Sequence, residues 1–433
     1  MLKSIKKTLA ICAGLVMLSS VQICLATGIT TQANFISPDF WNAQNPNADS
    51  LILDEKGVAD LNKRIINETK SVYNLAVYPQ TLTSASVKTK IMDYSLLEDD
   101  LYLRGNKVSD NYKGLLREQT NVSAIPANVK VQYAVTVRRT PVRNLPTGES
   151  LFYYAGDTNF DVLQETMLDP GEPLAVLHQS ANKYFYYVQA KNYAGWIART
   201  NLAMTDRKTW LEYVEPKKFL VVTGKELVLK TGAEQVLYQQ GSVLPLTGEV
   251  ANSYIVTGPV RNKQGMLQKE NLSVLKANPN VHKGYLPYTS KNLINAAFKF
   301  YNSPYGWGGM KDSVDCSSLL FNVYRTVGIY LPRNADEQET TAGAMVNLEG
   351  MTTEQRKVQL GALIPGAALA MPNHILIYLG EVNNEAYAIH SLANYVEDGT
   401  AKPAMKVVVS DLNLLRGNGD NYLNNITTAC EYR

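Results

Sequence analysis

With 433 residues the chain is too long for one ordinary domain, and its 45% hydrophobic and 19% charged residues describe a globular protein with ample core. The formal charge of +3 falls to 0 if residues 1 to 26 are removed, because that stretch holds Lys3, Lys6 and Lys7 and no acid. A chain without net basic bias gives no argument for nucleic acid, and an anionic polymer would need a local patch.

The N-terminal lysines precede an apolar run from Leu9 to Leu25, with the small Ala26 as a cleavage point, which is the pattern of an export signal. The run is short of the ~20 residues that a bilayer core requires. Cys24 invites comparison with a lipoprotein anchor, but Val21 and Ile23 do not fit the small residues that such anchors show. The expectation is an exported protein of the periplasm or cell envelope, or a secreted one. Only Cys316 and Cys430 then remain, too few for a disulfide scaffold though open to pairing in an oxidising compartment.

Residues 27 to 123 read as one N-terminal segment. Phe35, Phe40 and Trp41 would anchor an extended arm across another domain, and Val58, Leu61, Ile65 and Ile66 share one face of a helix. Residues 124 to 205 and 206 to 276 carry short strands broken by proline and glycine. Tyr186 to Gln189 followed by Gly195 to Ile197 is echoed by Ser253 to Val256 followed by Gly265 to Leu267, which predicts two copies of a small β-barrel. The runs VTVRRTPVRNLPTG and GWIARTNL resemble bacterial SH3 modules. Residues 276 to 288 read as a linker with a solvated His282, and a helix starts at Thr289 or Ser290, either of which can cap it.

In Ser303 to Gly328, SPYGWGGMKDSVDCSSLLFNVYRTVG, the apolar Leu319, Leu320, Val323, Tyr324 and Val327 recur with a helical period, and Gly328 supplies a stop. Cys316 therefore lies in the first turn of a helix, where free backbone N–H groups and the helix dipole favour thiolate and predict a lowered pKa. The turn from Tyr305 to Gly309 is glycine-rich enough to let backbone pass close to a substrate. A buried, inert cysteine is the competing reading.

A cysteine nucleophile needs a base and a group that orients the base. His178 ends a barrel strand and reads as a surface residue. His374 and His390 stand at the edges of two strands, His374 to Leu379 and Ala386 to His390. Their numbers sum to 764, so a hairpin turning at Val382 makes them cross-strand neighbours about 5 Å apart on one face. A slip of one residue would separate them. One cysteine and two histidines also make three zinc ligands, but without HxxxH or CxxC spacing.

Tyr305 to Gly309, then Asp315, Cys316, Ser317 and Ser318, then LPRNADEQ, then His374 with ILIYLG, then His390 with Ser391, resemble the NlpC/P60 cysteine peptidases over residues 285 to 433. The segments before them resemble the members in which a helical clip and paired bacterial SH3 modules precede the peptidase. The resemblance implies a multidomain protein whose catalytic domain has an α+β, papain-like fold. It implies hydrolysis, without a cofactor or metal and by a monomer, of the γ-D-glutamyl-diamino acid bond in peptidoglycan stem peptides (L-Ala-γ-D-Glu-diamino acid). Cys316 would be nucleophile, His374 base and acid, and His390 the orienting member. Tyr305 would frame the oxyanion site, and Asp315, Ser317 and Arg333 would line a pocket for the free ammonium of L-alanine, closed by the first barrel. Ala335 stands where the family often has serine. The alternatives are a non-catalytic wall-binding protein and a thiol amidase or acyltransferase on the same fold.

Overall fold

The computed structural model describes residues 28–232 and 234–433, so the expected export signal lies outside the described residues. The C-terminal domain is a six-stranded antiparallel sheet of β1 (Ala344–Asn347), β2 (Ala368–Met371), β3 (His374–Val382), β4 (Glu385–Glu397), β5 (Thr400–Asp411) and β6 (Thr428–Glu431), in the order β1-β6-β2-β3-β4-β5. The run from Ile375 to Leu379 is apolar throughout because both faces are covered. Ile375, Ile377 and Leu379 face one core, while Leu376 and Tyr378 face the other. The first core holds the two helices foreseen in the sequence, α2 (Ser290–Phe298), capped by Thr289, and α3 (Cys316–Arg325).

The hairpin of β3 and β4 departs from the expected register. Its turn is Asn383-Asn384, both at positive φ as a two-residue hairpin requires, and a bulge between Tyr378 and Gly380 shifts the pairing to Ile377 with Ile389. Those numbers sum to 766, two more than expected. A shift of two leaves every side chain on its face, so His374 and His390 remain neighbours, diagonal rather than opposed.

Two β units precede this domain. The first is a seven-stranded sheet of short strands, including Thr140–Arg143, Gln164–Leu168 and Ala194–Ala198. The helix Arg207–Val214 packs Trp210 against Tyr133 of that unit, although the sequence assigned it to the second. The second unit has five strands and a separate hairpin. Half of the expected linker belongs to it, because Val281–Lys283 pairs with Phe219–Val222 and carries the exposed His282 into the sheet.

Residues 28–123 form no single helical body. Phe35, Trp41, Leu61 and Ile65 join the C-terminal core, Val87 and Ile91 join the first β unit, and Leu97, Leu101 and Leu116 pack with Leu145, Leu151 and Leu163 of that unit. The aromatic arm is in place but includes a helix, α1 (Pro38–Gln44), and its rings stack on Tyr387 of β4.

Buried polar groups tie both β units to α3. Asp169 of the first accepts from Arg139 at 2.7 Å and pairs with Arg325 of α3 at 3.4 Å, and Arg325 also reaches Glu172 at 2.8 Å. Gln239 of the second unit accepts from Asn322 of α3 at 2.9 Å and donates its backbone N–H to Asp169. Every member of this network has a partner, which buried charge requires.

Candidate active site

Asp315 caps α3 in a capping box. Its side chain accepts from the backbone of Ser318 at 2.8 Å, and the Ser318 hydroxyl returns to the Asp315 backbone. This places Cys316 at the first helical position, half-buried. The backbone N–H of Ile375, the residue after His374, points at its sulfur. The type of turn before β3 follows from sequence: Pro372-Asn373, with Asn373 at φ 62°, returns β2 into β3 and delivers His374 at its start.

The two histidines meet: His374 Nε2 lies 2.8 Å from His390 Nδ1. His390 is fully buried, and its Nε2 lies 3.0 Å from Ser410 Oγ on β5. Tyr422 packs its ring on both imidazoles. If His374 Nε2–H donates to His390, and His390 Nε2–H to Ser410, then His374 Nδ1 is left as the proton acceptor. Ser410 extends the expected triad by one member.

The thiol does not behave as its helix position predicts. Burial pushes Cys316 up to about 11, with the neighbouring Asp315 carboxylate adding to the shift. Burial likewise pushes His374 down to about 3, with Arg416 contributing. His390 is also held well below its usual value, by burial and by His374. Loss of water outweighs the helix terminus, and both shifts favour a neutral thiol beside a neutral imidazole. Cys316 and Cys430 are both free, so the pairing left open by the sequence does not form. Among the described residues no group of three or more His, Cys, Asp or Glu side chains is placed to hold a metal.

The expected ammonium pocket is arranged differently. Arg333 donates to Asp315 Oδ2 at 2.6 Å, to Ser317 Oγ at 2.8 Å and to Thr166 Oγ1 of the first β unit at 2.8 Å. Burial opposes ionisation of Asp315, but the guanidinium overrides it and holds the carboxyl below its usual value. Asp315 also accepts from Gly308 N and from the Ser317 hydroxyl. It is a neutralised, fully engaged buried group, not a free acceptor for a cation. A carboxylate without a contact ion pair lies next door: among the described residues Glu165, adjacent to Thr166, is hydrogen-bonded by Tyr193 and Asn144, and burial raises it despite these bonds and the charges of Arg333 and Arg143.

Tyr305 is buried and hydrogen-bonds through its backbone to Met405 O at 2.8 Å, and its ring stacks with Phe160 of the first β unit. Its hydroxyl is pushed far up by burial, with Cys316 and Asp315 adding. The glycines that follow serve the barrel rather than a substrate. A Cβ on Gly308 would stand 2.7 Å from Gln164 O, and one on Gly309 would stand 2.5 Å from Met167 Cγ. Gln338, on the short helix Ala335–Glu339 that follows Arg333, donates to the carbonyls of Ser317 and Pro332. His178 is half-buried on Asn121 O and takes no part in the site.

A thiol on a helix start, a histidine pair on the neighbouring hairpin and a β unit held against both by buried polar groups mark a site built across two domains. Residues 302–404 match the NlpC/P60 family model, and residues 150–198 match that of an SH3 domain of SH3b1 type, so the chain carries an NlpC/P60 domain behind an SH3b domain. A structure from Photobacterium damselae subsp. piscicida, described as a novel NlpC/P60 endopeptidase, is 20% identical with a TM-score of 0.73, over 89% of this chain and 94% of that one. That likeness shows a shared multidomain fold. Among curated relatives, dipeptidyl-peptidase 6 of Lysinibacillus sphaericus is 21% identical over 53% of this chain and 81% of its own length. A gamma-D-glutamyl-L-lysine dipeptidyl-peptidase of Bacillus subtilis (strain 168) is 25% identical over 37% of this chain, and the chain spans half the length of that relative.

Proposed function

We propose that the chain is an exported cysteine peptidase that hydrolyses the γ-D-glutamyl-diamino acid bond of peptidoglycan stem peptides. The observation that carries this reading is the hydrogen-bonded chain His374–His390–Ser410, which leaves His374 Nδ1 as acceptor, together with a Cys316 sulfur met by the backbone N–H of Ile375, the residue after His374. As Cys316 Sγ attacks the carbonyl carbon, its proton passes to His374. The C=O pair moves onto oxygen, where the Cys316 backbone N–H is available as a donor. The tetrahedral intermediate collapses as the C–N bond breaks, and His374 returns the proton to the leaving amine. Water then hydrolyses the thioester, with His374 as base.

The unoccupied acceptor for a free N-terminal ammonium is Glu165 rather than Asp315. The hydrogen-bond partners of Glu165 are the neutral Tyr193 and Asn144, and burial outweighs the charges of Arg333 and Arg143 that act on it from beyond contact, so an arriving cation would form its first direct ion pair among the described residues. Arg333 would hold Asp315, Ser317 and Thr166 in one rigid wall behind it.

The test is mass spectrometry of the protein incubated with L-Ala-γ-D-Glu-diaminopimelate and with the same peptide acetylated at its amine. Release of L-Ala-γ-D-Glu from the free peptide, lost in Cys316→Ala, is the expected result. Glu165→Gln is expected to narrow the preference for the free amine by about tenfold, the scale of one charge-assisted contact. Cleavage of neither peptide by the native protein would sink the assignment in favour of a wall-binding role.

A further inference from the structure

The interdomain cluster of Arg333 with Asp315, Ser317 and Thr166 surrounds the start of α3. A second group belongs to the C-terminal domain alone and lies at His374: Tyr422 packs on both imidazoles, and the Arg416 charge is near enough to lower His374. Arg416 sits in a loop fixed at both ends: Leu415 pairs with Val396 and with Asn421, and Tyr422 donates its backbone N–H to Leu414 and stacks on both histidines. Its guanidinium donates through Nη2 to Pro372 O at 2.8 Å, the carbonyl of the turn that delivers His374. That is its single side-chain hydrogen bond among the described residues, and no carboxylate there lies within 4 Å of it.

A half-exposed arginine oriented by one carbonyl keeps most of its donor fork for a ligand. Unlike Arg333, Arg139 and Arg325, each matched to a carboxylate, this one is matched to none. We infer that Arg416 receives a carboxylate carried by the residue on the leaving side of the scissile bond, so that the preferred diamino acid bears a carboxylate on its side chain, as diaminopimelate does and lysine does not. Lysine brings only the side-chain ammonium that diaminopimelate also carries, with no carboxylate to meet the guanidinium. The inference rests on the peptidase reading and names the group that this reading leaves open.

Three peptides test it, each with the α-carboxyl of the diamino acid capped as an amide so that only the side chain differs. They are L-Ala-γ-D-Glu joined to diaminopimelate, to diaminopimelate amidated at its side-chain carboxyl, and to lysine. The native protein is expected to favour the first by about tenfold in kcat/KM, carried by KM, the scale of one charge-assisted pair. In Arg416→Gln that ratio should fall to about one, and in Arg416→Lys part of it should return. An equal loss on all three peptides would overturn the inference and leave Arg416 as a residue that only pins the His374 turn, and an unchanged ratio in Arg416→Gln would overturn it as well. Cleavage of none by the native protein would instead overturn the peptidase reading, and this inference with it.

Discussion

Cys316 and His374 are adjusted in opposite directions by the same loss of water, and that has two measurable consequences. With the thiol pushed up to about 11, the ligand-free protein should react slowly with iodoacetamide at pH 7, with the rate climbing beyond pH 9. Fast alkylation across neutral pH would reveal a thiolate-imidazolium pair instead. Cys316→Ala should abolish turnover with an unchanged melting temperature, since a small side chain replaces a small one. For the histidine, the unfolded chain takes up a proton below about 6.5 that the folded protein refuses until about 3. Stability should therefore fall as pH drops through that window, by up to about 1.4 kcal/mol per pH unit for each such histidine. Thermal melts between pH 7 and 4 should be flatter for His374→Gln.

Among the elements, α3 carries both the nucleophile and the attachment to the β units, so damage to the attachment should reach the site. Asp169→Ala would leave Arg139 and Arg325 buried without their shared carboxylate, at a cost of about 3–5 kcal/mol. The urea midpoint should drop accordingly, whereas a surface pair such as Lys56 with Asp60 should move it little. The sequence made α3 and its cap legible because periodicity and capping are local. It made the histidine pairing legible despite an error in register, because an error of two residues preserves the face. Strand β5, which brings Ser410, was missed although Asp398-Gly399 is a strong hairpin signal, since Pro403 and the lysines around it obscure the alternation. Thr166 and Glu165 were not legible at all. On a barrel strand they look like ordinary polar residues, and only tertiary packing brings Thr166 to Arg333, 167 positions down the chain.

At the scale of the molecule, the C-terminal domain is a separate unit of sequence but not of stability. Residues 285–433 expressed alone would expose the buried Arg325 of α3 and lose the aromatic arm, and they are expected to be insoluble or inactive, which a sedimentation assay would show. Trp41→Ala, which empties the contact between the arm and β4, should cost about 3–5 kcal/mol and be read as a lowered melting temperature.

The arm also sets a timetable. Gly28 donates its backbone N–H to Asp411, a contact spanning 383 positions, and Ile29 pairs beside Ser410. At roughly 5–20 residues per second, the first described residues wait about 20 to 75 s on the ribosome before their partners exist. The protein cannot complete its catalytic sheet while it is being synthesised, so a nascent chain handed to a translocation channel would still be threadable and inert. On the proposal that the protein is an exported peptidase, activity would arrive only after the whole chain had crossed.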